Sequence, residues 1–147
     1  MKRLALLIAC FATLATTSCS FMQSAASSDP VAQATGQACG TAVQGLYSSY
    51  HNSGTIDLSN ANNLNNALAL ATAYSTLKQH KGDQAYRKAF TTGLIASSAG
   101  LITQANASAF VDKLLATSGL ANLNTEKVTQ TAATAAAVIS LLKVLGK

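Results

Sequence analysis

The chain has 147 residues, of which 49% are hydrophobic, 10% are charged and 5% are aromatic. This length suits a single domain. The shortage of β-branched and aromatic residues argues against a strand-rich fold and favours helices packed through small side chains. A formal net charge of +5 is too dilute along the chain to indicate nucleic-acid binding.

The first nineteen residues have the pattern of an export signal. Lys2 and Arg3 supply a positive start, and the apolar run 4–14 is too short to be a permanent membrane anchor. Small residues follow the run and end at Cys19. Removal of Lys2 and Arg3 with the signal lowers the formal net charge from +5 to +3.

The end of this signal resembles the lipobox of bacterial lipoprotein precursors, in which small residues precede a cysteine that is diacylated and then exposed by signal peptidase II. The residues that carry the resemblance are Thr16, Thr17, Ser18 and Cys19. The resemblance covers the signal only, and it implies that Cys19 becomes the lipid-bearing first residue of the mature protein. The alternative is an ordinary secretory signal that is cleaved after Ala15 or further on.

Lipidation of Cys19 would attach the protein to a membrane through acyl chains such as palmitate. Each buried CH₂ group contributes about 0.8 kcal/mol, so several chains on one residue give stable anchoring. Ser20 follows the cysteine, where an aspartate would favour retention in the inner membrane. The resemblance therefore implies an outer-membrane lipoprotein in the cell envelope that faces the periplasm.

Three segments are predicted from these features. Residues 1–18 form the signal peptide, and residues 19–29 comprise the lipidated cysteine and a flexible tether of small polar residues. Residues 30–147 form an all-α domain, a small bundle of four to five helices.

The first helix is predicted from Pro30 to about Tyr50, with Asp29 as its N-cap. Steps of four and three place one set of small and apolar residues on a single face. These residues are Ala32, Gly36, Cys39, Val43, Leu46 and Tyr50. Gly36 and Gly40 lie on or beside this stripe, which indicates that a neighbouring helix approaches closely there.

The second helix is predicted from a cap at Asp57 or Ser59 to about Lys81, and Gly82 is expected to end it in the left-handed conformation. Its asparagine-rich start is a poor helix former and is expected to fray. The predicted buried face consists of Leu64, Ala67, Leu68, Ala71 and Tyr74, with Leu70 and Leu77 beside it.

Asp83 is predicted to cap a third helix that ends near Gly100. Its expected inward-facing residues are Ala85, Tyr86, Ala89, Phe90, Gly93, Leu94 and Ser97. A short fourth helix begins at Asn106 or Ser108, and Gly119 is expected to cap its C-terminus. Its apolar residues are Phe110, Val111, Leu114 and Leu115.

The last helix is predicted to begin at Asn124, with Leu123 packed against Val128. A broad apolar face suggests that this is a central helix of the bundle. Its stripe consists of Val128, Ala132, Ala135, Ile139 and Leu142, widened by Val138, Leu141 and Leu145.

The cysteine count leaves Cys39 without an obvious partner, because Cys10 leaves with the signal and Cys19 is predicted to be acylated. One interpretation is a reactive thiol or an intermolecular disulfide. The position of Cys39 on the apolar stripe favours core packing instead. If Cys19 were not lipidated, a disulfide between Cys19 and Cys39 would become possible.

Candidate catalytic and metal sites are weak. His80 and Asp83 are three residues apart, but a glycine between them should break the helix, and His80 is predicted to point away from the core. His51 is predicted to lie in a turn and has no evident second ligand. The sequence contains no nucleophile elbow, no phosphate-binding loop and no dinucleotide fingerprint. We therefore predict no catalytic residues, no metal and no cofactor.

Aromatic residues could instead line a ligand pocket between helices, although such residues more often form the core. They are Tyr47, Tyr50, Tyr74, Tyr86, Phe90 and Phe110. The leading prediction is a lipid-anchored, non-catalytic interaction or structural module with an unidentified protein partner in the cell envelope. The alternative is a helical carrier that binds a small apolar ligand within the bundle.

Overall fold

The computed structural model describes residues 28–121 and 131–146. These residues form five α-helices and one short 3₁₀ helix, without a strand, which confirms the predicted small all-α bundle. The α-helices are α1 (Ser28–Ser53), α2 (Ala61–Gln79), α3 (Gln84–Ser97), α4 (Ala107–Ala116) and α5 (Thr131–Leu142). The 3₁₀ helix covers Ser118–Leu120, between α4 and α5.

The central helix of the bundle is α1. Its most extensive packing is against α3, and its next most extensive is against α2. The predicted stripe faces the core, because Ala32, Cys39, Val43 and Leu46 are fully buried and Tyr50 is half-buried. Asp29 lies within α1, which starts at Ser28, so the prediction of Asp29 as the N-cap is wrong.

The backbones of α1 and α3 touch at glycines. A Cβ atom on Gly36 would overlap the Phe90 carbonyl oxygen, and one on Gly93 would overlap the Gln33 carbonyl oxygen. On Gly40 it would lie 2.6 Å from the Leu94 carbonyl oxygen. This confirms the predicted close approach at Gly36 and Gly40. Since later residues of α1 meet later residues of α3, the two helices run parallel.

A serine hydroxyl connects the two helices at the same crossing. The Ser97 Oγ donates to the Gln37 carbonyl oxygen of α1 at 2.8 Å and also lies 2.9 Å from the Gly93 carbonyl oxygen of its own helix. Close approach allows this bond, because a short side chain can reach a backbone carbonyl only where helices nearly touch. The crossing thus combines backbone contact with a polar link.

The start of α2 is held by asparagines. The Asn60 side chain accepts from the backbone N–H groups of Asn62 and Asn63 at 2.9 and 3.4 Å, so Asn60 is the N-cap. The prediction of Asp57 or Ser59 as the cap is therefore wrong. The Asp57 carboxylate instead accepts from the backbone N–H of Ser59, in the turn before the helix.

Asn63 corrects two further expectations about α2. It is buried at 8% exposure, and its side-chain amide donates to the Ser49 hydroxyl of α1 at 3.0 Å and to the Asp57 carbonyl at 2.9 Å. The helix start is thus tied to α1, so the expectation of fraying is wrong. Because Ser49 near the end of α1 meets Asn63 near the start of α2, these helices run antiparallel.

The buried face of α2 includes Asn63. The predicted buried face is therefore partly wrong, because it lies on a different side of the helix. The observed buried residues are Asn63, Ala67, Leu70, Ala73, Tyr74 and Leu77. By contrast, Leu64, Leu68 and Ala71 are half-buried. The predicted face contained no asparagine, whereas a buried amide with two hydrogen bonds can occupy a core position.

Helix ends depend on fewer glycines than predicted. Gly54 follows α1 with φ +71°, and Gly100 follows α3 with φ +82°. Gly82 does not adopt a positive φ, because His80 is the C-cap of α2 and the chain turns without a left-handed residue. Gly119 lies within the 3₁₀ helix and not at a helix cap, and a Cβ atom there would lie 3.0 Å from the Ala137 Cβ of α5.

The structure confirms the predicted N-cap of α3, whereas the residue predicted to start α4 does not cap the helix with its side chain. The Asp83 carboxylate accepts from the Tyr86 backbone N–H at 3.0 Å, which confirms Asp83 as the N-cap of α3. Asn106 precedes α4 as predicted, but its side chain bonds to Thr103 and Leu101 in the preceding turn. Ala85 was expected to face inward and is exposed.

The C-terminal helix α5 is not a central helix, contrary to the prediction. It packs mainly on the 3₁₀ helix and less extensively on α1 and α4. Its buried apolar residues are Val138, Leu141 and Leu142, whereas Ala132 of the predicted stripe is exposed. Alanine-rich faces bury little area, so a broad apolar pattern does not require a central position. The predicted cap and staple at residues 123–128 lie outside the described residues.

Hydropathy and length together identify membrane-spanning helices. Among the helices of residues 28–121 and 131–146, none reaches both the length and the apolar character of a membrane span.

We expect Gly93→Ala to destabilise the fold. Overpacking costs up to about 3 kcal/mol, which exceeds the roughly 1 kcal/mol that alanine gains in helix propensity. The free energy of unfolding, measured by denaturant titration with circular dichroism, should fall by about 1–2 kcal/mol on these magnitudes.

Gly82→Ala is the matched control, because no atom lies within 4 Å of a Cβ built on Gly82. It should change the unfolding free energy by no more than about 0.5 kcal/mol. Equal losses in the two variants would contradict a specific contact between α1 and α3.

Candidate functional site

Cys39 lies on the face of α1 that packs into the core. It is fully buried and has no disulfide partner among residues 28–121 and 131–146. Burial disfavours the thiolate and raises the pKa of the Cys39 thiol from 9.0 to about 12. Because the thiolate is the reactive form, this environment suits core packing, as the helical spacing predicted. Cys19 lies outside the described residues, so its lipidation and any pairing with Cys39 stay predictions.

His80 and Asp83 come together at the turn between α2 and α3. The His80 Nδ1 lies 3.9 Å from an Asp83 carboxylate oxygen. The imidazole also stacks on the Tyr86 ring, with centroids 4.0 Å apart and planes 5° from parallel. His80 was expected to point away from the core, and instead it covers a buried tyrosine.

The part of the chain that the structure describes contains no group of three His, Cys, Asp or Glu side chains that could hold a metal ion. The Asp83 carboxylate is already the N-cap of α3, where it accepts a backbone hydrogen bond. His80, stacked on Tyr86 and close to Asp83, is thus best understood as a structural element that closes the turn over the core.

Most of the predicted aromatic set fills the core instead of lining a pocket. Tyr86, Phe90 and Phe110 are each at most 1% exposed, and Tyr74 is buried. The Tyr86 hydroxyl has no hydrogen-bond partner among the described residues. A buried hydroxyl without a partner costs about 1–3 kcal/mol, so packing of the ring must outweigh that penalty.

The other two aromatics border a pocket at one end of the bundle, which we call the tyrosine pocket. It has a volume of about 380 Å³ and lies between the last turns of α1 and the end of α5. It is lined by Tyr47, Tyr50, His51, Leu142, Lys143 and Gly146. His51 was placed in a turn by the sequence, and it lies in the last turn of α1 with its ring parallel to that of Tyr47.

A larger concavity is a groove between α3 and α4, with a volume of about 870 Å³. We call it the α3–α4 groove. Arg87 spans it, since its guanidinium donates to the Asp112 carboxylate at 3.0 Å. Its remaining side chains are mostly amides and hydroxyls, with a lysine and a few apolar groups. They are Gln84, Ala85, Lys88, Thr91, Thr92, Ile95, Gln104, Ala107, Ser108 and Val111.

Sequence reasoning missed the residues of this groove. Arg87 and Asp112 are 25 positions apart, and nothing in their local patterns links them. The only available signal was the small basic cluster that includes Arg87 and Lys88, which is typical of a solvated helix face. Only the packing of α4 beside α3 turns that face into one wall of a groove.

Comparison of the chain with protein-family models, with curated proteins and with solved structures gives no match. Function is therefore inferred from the residues and their arrangement.

We expect the Cys39 thiol to be inert in the folded protein. Iodoacetamide at mildly alkaline pH should leave Cys39 unlabelled in native buffer and label it in urea, as determined by peptide mass spectrometry. The raised pKa and full burial both lower the reactivity of the thiol. Native labelling as fast as that of the unfolded chain would contradict this burial.

The same shift predicts an alkaline loss of stability. From about pH 9 to about pH 12 the unfolded chain releases the Cys39 proton while the folded chain keeps it. The contribution of the Cys39 thiol to the free energy of unfolding therefore declines as the pH rises through this range.

Proposed function

We propose that the protein is a lipid-anchored lipoprotein of the cell envelope whose helical domain is a non-catalytic interaction or structural module. In this proposal acyl chains on Cys19 hold it to the outer membrane, facing the periplasm. The proposal rests on the export signal that ends in small residues and a cysteine, Thr16-Thr17-Ser18-Cys19. No other segment of the sequence has a pattern that indicates the location of the protein as directly.

The α3–α4 groove is the surface we propose for partner recognition. Among the described residues, Val31 is the one large hydrophobic side chain that is exposed, at 39%. A partner that binds through an extensive apolar patch therefore has little to contact on this part of the domain. The groove instead offers amides, hydroxyls and cationic groups, which suit a polar partner surface.

The ion pair between Arg87 and Asp112 supports the groove as a defined surface. It links α3 to α4 at 3.0 Å, with the Arg87 side chain 32% and the Asp112 side chain 66% exposed. A pair this exposed contributes little to stability. Its charged hydrogen-bonding groups instead lie at the surface of the groove, where a partner can contact them.

The alternative, a carrier of a small apolar ligand within the bundle, has less support from the packing. Tyr86, Phe90 and Phe110 would have to line the internal pocket, and they are closely packed in the core. A carrier would also need a cavity enclosed by apolar side chains, whereas the α3–α4 groove is lined largely by polar ones.

Lipidation is tested by metabolic labelling with an alkyne analogue of palmitate. Cys19→Ala should abolish incorporation, because the acyl chains need the Cys19 thiol. Globomycin, which inhibits signal peptidase II, should leave the unprocessed precursor. Cys39→Ala is the matched cysteine control and should label normally. Full labelling of Cys19→Ala would refute the anchor.

Partner recognition is tested by site-specific photo-crosslinking in the cells that naturally express the protein. A photoreactive residue in place of Thr92, which is exposed in the groove, should give adducts of discrete mass. Thr72 is the control, since it is an exposed threonine on α2 with the same bond to a preceding carbonyl at 3.0 Å. Equal adducts from both positions, or none from Thr92, would contradict the groove as the contact surface.

A further inference from the structure

The tyrosine pocket is separate from the surface proposed above. Its lining residues come from α1 and from the C-terminal end of α5, and none of them lines the α3–α4 groove. Its volume of about 380 Å³ lies within the usual range for small-molecule pockets, about 300–1,000 Å³. Ligand binding at this end of the bundle would therefore be a further function.

The walls of the pocket are aromatic. Tyr47 and Tyr50 are half-buried and pack against the core, so their rings are held while one side of each borders the pocket. The His51 ring lies parallel to the Tyr47 ring within 6°, with centroids 6.1 Å apart. Aromatic faces bind other planar rings through stacking and edge contacts, so this wall suits an aromatic ligand.

Leu142 supplies an apolar base, since it is 1% exposed and lines the pocket. Turns continue after α5. The backbone N–H of Leu145 donates to the Leu142 carbonyl oxygen at 2.9 Å, and that of Gly146 donates to the Lys143 carbonyl oxygen at 3.3 Å. These bonds hold Gly146 at the edge of the pocket.

The charge in the lining is positive. Within the described residues, Lys143 supplies it, and no carboxylate side chain lines the pocket. Lys143 also complements the negative end of the α5 dipole, so its position alone does not indicate a ligand. Its location beside an aromatic wall does, because a ligand with one ring and one anionic group would contact both.

We propose that the tyrosine pocket binds a small aromatic carboxylate. Its ring packs against Tyr47 and Tyr50 over Leu142, and its carboxylate pairs with the Lys143 ammonium. The chemistry of the wall selects for the ring, and the lysine selects for the negative charge. Charge-assisted hydrogen bonds of this kind are about twice as strong as neutral ones, so the carboxylate should decide affinity.

The test uses 2-naphthoate as the probe and the purified full-length chain, with binding followed by isothermal titration and by NMR. Saturable binding is expected, with shifts of the backbone amide signals of Tyr47, Tyr50 and Gly146. Lys143→Gln should weaken binding at least about tenfold. Tyr50→Leu should also weaken it, and circular dichroism would verify that each variant is folded.

Lys113→Gln is the matched control, since it removes one positive charge on α4 from a residue that lines neither concavity. It should bind 2-naphthoate as the unmodified chain does. An equal loss in both lysine variants would overturn the proposal in favour of general charge attraction. The absence of saturable binding, or shifts confined to other residues, would also overturn it.

Two further ligands test the chemistry of the site. The neutral 2-naphthalenemethanol should bind more weakly than 2-naphthoate and be insensitive to Lys143→Gln, and the cationic 2-naphthylmethylamine should bind most weakly. If either bound as tightly as 2-naphthoate, the carboxylate would have no role and the proposal would be wrong.

Discussion

The contact between the α1 and α3 backbones constrains the rest of the bundle. Gly36 and Gly93 each face a carbonyl oxygen of the other helix, so even a methyl group at either position would force the helices apart. Close parallel packing of α1 and α3 then requires α2 to run back between their ends, antiparallel to α1. Because α1 lies against both neighbours, its stripe is buried along most of its length and Cys39 is enclosed.

Polar links then set the register of the helices around this crossing. Ser97 joins α3 to the backbone of α1, and Asn63 joins the start of α2 to Ser49 of α1. These bonds occur where small residues let the backbones approach, since short side chains have little reach. Asn63 also determines which side of α2 is buried, because a core amide must stay beside its partners. Polar residues therefore orient a core that is largely built from alanine and leucine.

Two concavities on the described part of the chain differ in character. The α3–α4 groove is broad and lined mainly by amides, hydroxyls and charged groups, with Arg87 and Asp112 joined across it. The tyrosine pocket is smaller, and Leu142 and two tyrosines form its walls with Lys143 beside them. The polar groove is the surface proposed for a macromolecular partner, and the aromatic pocket is the site proposed for a small molecule.

The sequence by itself determined the helical class, the stripe of α1, the close approach at Gly36 and Gly40, and the cap at Asp83, because each depends on neighbours within a few turns of one helix. Only the tertiary structure decided the burial of Asn63, the peripheral position of α5 and the residues of both concavities. These depend on which helices meet, and groups such as Arg87 and Asp112 acquire a shared role only when distant segments pack together. The proposed export signal that ends at Cys19 is the opposite case, since a processing enzyme would recognise it as a short segment of sequence without reference to the fold.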